Sequence, residues 1–349
     1  MNRKTRKTII ICFFAVILAL PACENGKLKK YSGVIYDAFD TTTSVTAYCE
    51  SEASFSELME LVEAEMIRFH RLYDIYNSYS GLTNMKDVNS YGHDGPVKVP
   101  QEIIDILVFA KNACSLTDGN VNVAMGSVLK LWHDAREFST EYPEKAYLPD
   151  TAELQAAAKH CSMEDVIVDE QQGTVFLADP ALFIDLGAVA KGYAVERVAE
   201  MIESRGWNSV IINAGGNVRA IGAKEDGENW TVGVTNPNTE LSEEYVGKVS
   251  VQNRAVVTSG GYQRYFTVDG RRYHHIINKT SLMPEDRFLS VTIIADDSGY
   301  ADALSTAVFN MDFEEGRTLV ERLENVGAMW IMEDGSQICS SVFSSCLEN

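Results

Sequence analysis

From residue 166 to 339 the chain consists of short β-branched and aromatic runs separated by turn residues. Helical periodicities interrupt these runs without regular strand–helix–strand alternation. Strands are expected at 166–168, 174–177, 209–213, 230–234, 248–251 and 255–258. Asp269-Gly270 marks a hairpin turn between strands at 265–268 and 272–277, and Asp334-Gly335 marks another between 328–332 and 337–339. Helices are expected at 190–204, 300–310 and 314–324. Nearer the N-terminus, 34–36 and 44–48 read as strands. Residues 55–76 read as one amphipathic helix, with Leu58, Val62, Met66, Phe69, Leu72 and Tyr76 at three- and four-residue steps. Further helices are expected at 103–114, introduced by Pro100, and at 152–159. This pattern predicts an α+β fold of mixed or antiparallel sheets with flanking helices, and no linker divides residues 33–349.

The first residues follow a different rule. Arg3, Lys4, Arg6 and Lys7 precede an apolar run at 9–20 that is short for a bilayer span, and Pro21-Ala22-Cys23 follows. Basic head, apolar core and small residues at the cut describe a secretory signal over 1–22. Leu20-Pro21-Ala22-Cys23 resembles a bacterial lipobox, which makes Cys23 the expected lipidation site and membrane anchor. Residues 23–32 are then a tether, and the protein faces outside the cytoplasm. A simple cleaved signal and a retained anchor are the alternatives.

The net charge of −20 restricts the partners. Such a surface repels phosphate backbones, so nucleic acid is excluded as a partner, and an anionic ligand needs a local cation or oriented N–H groups. With Cys12 and Cys23 set aside, Cys49, Cys114, Cys161, Cys339 and Cys346 remain, in no zinc-binding spacing. A local Cys339–Cys346 bridge and buried free thiols are both open.

Three segments could carry chemistry. In Asp185-Leu186-Gly187-Ala188-Val189-Ala190-Lys191-Gly192 a strand ends, two glycines allow close approach, and a helix begins. Its unpaired N–H groups suit phosphate oxygens, and Lys191 supplies a cation; an incidental glycine turn is the plain alternative. In Ala301-Asp302-Ala303-Leu304-Ser305-Thr306-Ala307, Asp302 and Thr306 are four apart and share a helical face. Carboxylate and hydroxyl oxygens suit Mg²⁺, whereas a bland Asp302 contributes only about 0.3–1 kcal/mol near a helix start. In Arg272-Tyr273-His274-His275-Ile276-Ile277-Asn278, adjacent strand residues face opposite ways, so one histidine at most faces a cleft. That histidine is a contact or proton carrier, or simply an exposed side chain. Gly-rich turns at 213–217 and 258–262 complete the set.

Taken in order, these segments resemble the ApbE family, the FAD:protein FMN transferases. Asp185 to Ala194 resembles the family's Asp-Leu-Gly-Gly-Ile-Ala-Lys-Gly-Tyr-Ala signature, and 301–307 its Ala-Asp-Ala-Leu-Ala-Thr-Ala. Phe39 to Val45, Asp118 to Val123 with Leu131-Trp132, 213–222, Thr258-Ser259-Gly260 and 273–284 resemble its remaining blocks. The resemblance implies a T-fold-like single catalytic unit that moves FMN from FAD to a Thr or Ser hydroxyl, with AMP leaving. It implies Mg²⁺ held by Asp302, Thr306 and the Ala188 carbonyl, with Ser305 nearby. FAD would touch Phe39, Tyr76, Asn120, Val121, Asn122, Asp185, Lys191, His275 and Ile276, with His275 at the reacting centre. Acceptor flavoproteins of exported electron-transfer systems are the implied protein partners.

Three positions depart from the family pattern: Asn122 and Asn217 each replace an acid, and Asn278-Lys279-Thr280-Ser281-Leu282 replaces Asp-Pro-x-Thr-Gly. Loss of a carboxylate at Asn278, close to His275, leaves FAD hydrolysis to FMN and AMP, or non-catalytic FAD binding, as the rival readings.

Overall fold

A computed structural model describes residues 28–238 and 243–348. The expected signal and Cys23 lie outside them. Strand β1 (Lys29–Ala38) pairs antiparallel with β2 (Thr41–Cys49), so the last four residues of the expected tether are already strand. In β2, Thr43, Val45, Ala47 and Cys49 alternate inward, the two-residue period of a half-buried strand.

Helix α1 (Glu52–Tyr73) starts at Ser51, whose hydroxyl accepts the Ser54 N–H, and buries the predicted seam from Phe55 to Leu72. It stops three residues short of Tyr76. Asp74 Oδ1 takes the N–H groups of Tyr76 and Asn77, and Oδ2 takes the Asn77 amide and the Tyr79 hydroxyl. This Asp-centred turn offers the chain an alternative to another helical turn and leaves Tyr76 on a loop.

Next come α2 (Met85–Tyr91), closed by a reciprocal Asn84–Asp87 capping box, the short β3 (Val97–Lys98), and α3 (Gln101–Leu116) after Pro100. Helix α4 (Gly126–Glu141) has no side-chain cap and no sequence signal at its start, and the sequence pattern did not predict it. Helix α5 (Thr151–Ala157) is capped by Asp150, and β4 (Val166–Asp169) and β5 (Thr174–Leu177) form a small sheet with β3.

Beyond this lies α6 (Ala190–Ser204), with the bounds that its periodicity predicts. Then come β6 (Ser209–Ala214), β7 (Asn217–Gly222), β8 (Trp230–Thr235), β9 (Tyr245–Val251) and β10 (Ala255–Gly260). The hairpin of β11 (Tyr265–Val268) and β12 (Arg271–His274) turns at Asp269 and Gly270, both at positive φ. Its second strand ends at His274, not at residue 277, because the Ile276 N–H turns back to His274 Nδ1. The chain closes with β13 (Phe288–Ala295), α7 (Ser298–Asn310), α8 (Phe313–Arg322), β14 (Gly327–Met332), β15 (Gln337–Cys339) and α9 (Ser341–Cys346).

Eight strands form one antiparallel sheet in the order β1-β2-β6-β7-β10-β13-β14-β15. Its residues alternate between two cores. Val210, Ile212, Val257, Val291, Ile293 and Trp330 face one core, against which α1, α6 and α7 pack. Ala220, Val256, Ile294, Met329 and Ile331 face the other, covered by the β8–β9 hairpin and Phe343 of α9. A third cluster joins α4 and α5 to the β11–β12 hairpin through Trp132, Phe266 and Ile277. The described residues therefore form the expected α+β arrangement of antiparallel sheets and flanking helices. All five cysteines among them are free thiols, with no Cys339–Cys346 bridge formed.

Candidate active site

The site grows from the crossing of α6 and α7. Gly192, in the first turn of α6, donates its N–H to Asp302 Oδ2 of α7 at 2.8 Å. A Cβ on Gly192 would lie 2.4 Å from Asp302 Cβ and 2.5 Å from the Ser298 carbonyl, so only glycine lets the helices meet this closely. The bond has a second consequence. In a regular helix the Gly192 N–H would go to the carbonyl four residues back, that of Ala188. The flanking N–H groups of Ala190 and Tyr193 go to the carbonyls of Leu186 and Val189, and among the described residues no backbone N–H reaches the Ala188 carbonyl.

Asp302 is 8% exposed, and desolvation pushes its carboxyl above the usual range, against the pull of Lys191, Gly192 and Asn217. Asn217 faces it from β7 and accepts the Ser298 hydroxyl at 2.6 Å, although its Nδ2 makes no bond of good geometry. One turn along α7, the Ser305 hydroxyl bonds to the Asp302 carbonyl at 2.9 Å and to Ser259 Oγ at 2.8 Å. Ser259 in turn lies 3.3 Å from Thr306 Oγ1. Beneath them, Glu196 of α6 makes a buried two-pronged pair with Arg219 of β7 at 2.9 and 3.0 Å, and accepts the Ser298 N–H at 2.6 Å. This pair fixes the start of α7 to α6.

The cations lie above this junction. Lys191 reaches the Gly215 carbonyl at 3.1 Å, and burial lowers its pKa. Arg264 leads into β11, and its guanidinium lies 3.5 Å from the Asp40 carbonyl. Asp40 follows Phe39 in the β1–β2 turn, where both residues take positive φ, and the Phe39 N–H bonds to His70 Nδ1. His275 Nδ1 donates to the Arg264 carbonyl at 3.2 Å, which leaves Nε2 as the acceptor. His275 is open to solvent on one side and enclosed by protein elsewhere. Its pKa is pushed down to about 3, first by desolvation and then by Arg264, so the ring is neutral at pH 7. His274 points away, to the Glu285 carbonyl, while Ile276 is buried. The two neighbouring histidines thus face different surroundings, as their adjacency requires.

A cavity of about 340 Å³ lies beside Asp185 and is lined by Tyr76, Lys86, Lys130, His133 and Asp134. Tyr76 stacks on His133 with ring centroids 5.1 Å apart, and its hydroxyl is pushed up to about 12 by burial and by Asp185. Asp185 accepts the Gly187 N–H at 2.7 Å; desolvation raises its carboxyl. The Asp185 N–H bonds to the Val123 carbonyl, so the Asn120–Asn122 stretch lies alongside. Val121 is buried, and the Asn120 amide is tied to the Thr117 carbonyl.

Two of the asparagines in place of acids, Asn122 and Asn278, are structural. Asn122 Nδ2 donates to the Cys161 carbonyl at 2.8 Å, a bond no carboxylate could make. Asn278 Nδ2 donates at 3.1 Å to both Glu285 and the Asn310 carbonyl, and its Oδ1 accepts the N–H groups of Thr280 and Ser281. These bonds run to Glu285 and the surrounding backbone rather than to the His275 ring. Sequence reading passed over Arg264 and His133, and it marked Ser259 only as part of a glycine turn that resembles a family block. Arg264 is a single basic residue beside a glycine turn, with no spacing to mark it.

The oxygens at the α6–α7 crossing suit a hard divalent cation: one carboxylate, one carbonyl without a donor, and a hydroxyl. No group of three or more His, Cys, Asp or Glu side chains capable of holding a metal occurs among the described residues. A site with so few charges fits an ion that keeps waters and is completed by ligand phosphates, as Mg²⁺ does.

Comparison with known proteins shows the family and the fold. The model of the ApbE family matches residues 39–330. A Klebsiella pneumoniae FAD:protein FMN transferase is 31% identical over 319 residues, covering 91% of this chain and 93% of its own. One from Treponema pallidum is 31% identical over 261 residues, 71% of this chain and 70% of its own. The crystal structure of an ApbE protein from Thermotoga maritima superposes with a TM-score of 0.81 at 30% identity, covering 92% of this chain and all of that one.

Proposed function

This chain belongs to the ApbE family, and from that membership we propose that it is a Mg²⁺-dependent FAD:protein FMN transferase. It carries FMN from FAD to a Thr or Ser hydroxyl of an acceptor protein and releases AMP. The acceptor oxygen forms a bond to the phosphorus on the riboflavin side, the bond from that phosphorus to the AMP oxygen breaks, and the hydroxyl proton must be removed.

The single observation that carries the reading is the bond from Gly192 to Asp302, which buries one carboxylate and frees the Ala188 carbonyl beside it. Asp302, Ala188 and Thr306, with Ser305 and Ser259 steadying the hydroxyl side, are the residues that would hold Mg²⁺. When bound, the ion neutralises the diphosphate oxygens and supports in-line geometry. Lys191 adds positive charge next to it. Tyr76 and Asp185 line the cavity, and together with Phe39 and the Asn120–Asn122 stretch they are the residues that would hold the rest of FAD. His275 presents a neutral Nε2 that can take the acceptor's proton, and an anionic ligand beside Arg264 makes that nitrogen more basic.

An export signal and a lipid on Cys23 put the enzyme on the outer side of the cytoplasmic membrane, and its acceptors among exported electron-transfer flavoproteins. The test combines the protein, FAD, Mg²⁺ and an acceptor carrying a Ser/Thr-Gly-Ala-Thr/Ser segment. Flavin fluorescence that stays with the acceptor after denaturing electrophoresis, and vanishes with EDTA or Asp302→Asn, is the expected result. AMP release at the same rate without acceptor, with a dark acceptor band, would replace transferase by hydrolase.

A further inference from the structure

The diphosphate of FAD brings two negative charges into a protein of net charge −20, and besides the metal the reading above gives only Lys191 a role in binding them. We infer that Arg264 is a second binding residue for that diphosphate, acting with Lys191. The inference rests on the transferase reading and adds a residue to the same site.

Three observations support it. Arg264 forms no ion pair among the described residues, and the recorded bond of its guanidinium is the long one to the Asp40 carbonyl, although the group has five N–H donors. Many arginines elsewhere in the described chain, including Arg68, Arg197, Arg219 and Arg287, have carboxylate partners. Secondly, Arg264 and Lys191 reach neighbouring turns: Arg264 bonds to the Asp40 carbonyl and Lys191 to the Gly215 carbonyl, and the Gly215 N–H bonds to the Thr42 carbonyl. Two cations near one another repel even with Asp302 beside Lys191, and an anion lying between them relieves that repulsion. Thirdly, the residue is held in place from behind. Its carbonyl takes the His275 Nδ1 bond. A Cβ on Gly261 would lie 2.3 Å from the His274 ring, so glycine there lets the 261–264 segment run close against the two histidines. The planar guanidinium suits two phosphate oxygens at once, which the Lys191 ammonium does not.

The experiment titrates FAD and riboflavin separately into wild-type, Arg264→Gln and Arg264→Lys proteins, followed by flavin fluorescence in the presence of Mg²⁺. Riboflavin has the same ring and no phosphate. The glutamine variant is expected to bind FAD about tenfold more weakly, the effect of losing one charge-assisted hydrogen bond, and riboflavin within about twofold of wild type. The lysine variant should recover part of the FAD affinity. Equal weakening of both ligands would assign Arg264 a purely structural role and overturn the inference, as would unchanged FAD affinity. Wild-type protein that binds neither ligand overturns the transferase reading itself, and the Arg264 assignment with it.

Discussion

At the scale of single residues, position 278 illustrates how an apparent loss is absorbed. An aspartate there would set a carboxylate against Glu285 Oε2 and leave the Asn310 carbonyl without its donor. Asn278→Asp is therefore expected to destabilise the fold by about 1–3 kcal/mol at pH 7, read from the urea midpoint, without raising the transfer rate. His275 gives a prediction in pH. Its folded pKa lies far below the value near 6.5 of an unfolded histidine, so below about pH 6.5 the unfolded chain binds the additional proton. Stability from this group is fully present above that pH and declines as pH falls toward the folded value. Substituting His275→Gln should flatten the stability slope between pH 6.5 and 4; an unchanged slope would show that the ring is not shielded. Asp302→Asn should reduce transfer about 10²–10³-fold while FAD-free stability holds or rises, because a buried carboxylate becomes a neutral amide. Of these groups Asp302 was legible from its four-residue spacing to Thr306, whereas Arg264 was not, because its significance is the proximity of Asp40 and His275, far from it or merely offset in sequence.

At the scale of elements, the α6–α7 crossing makes the site, and Gly192 makes the crossing. Gly192→Ala introduces a methyl 2.4 Å from Asp302 Cβ and 2.5 Å from the Ser298 carbonyl, neither of which can yield cheaply. A loss of about 1–3 kcal/mol is expected, seen as a lower urea midpoint, together with weaker Mg²⁺-dependent transfer. Normal stability and activity in this variant would mean that the helices are not held this closely. Sequence periodicity located α6 well because its apolar face and its polar face differ. It missed β13, whose Val291, Ile293 and Ile294 are buried on both faces of the sheet, so no alternation marks the strand. It missed α4 for a different reason: that helix starts without a capping side chain and is fixed by tertiary contacts such as the Trp132 indole bond to the Leu282 carbonyl. It carried α1 through to Tyr76 because the apolar step continues, and overlooked the Asp74 turn that releases Tyr76 to the cavity.

At the scale of the whole molecule, an acidic chain concentrates Lys191 and Arg264 at one cleft while its two cores hold the sheet that carries α7. The α+β class was readable from the irregular order of strands and helices; the strand order, with β6 and β7 between β2 and β10, was not, since pairing partners are set by packing across long separations. The central claim is that oxygens from two distant stretches hold one divalent ion. It is tested most directly by anomalous diffraction from crystals grown with FAD and Mn²⁺ in place of Mg²⁺. One manganese peak at about 2.0–2.3 Å from an Asp302 carboxylate oxygen, the Ala188 carbonyl and Thr306 Oγ1, next to the diphosphate, is the predicted result. Bound FAD with no peak there, or with its only peak on another face of the protein, would contradict the account.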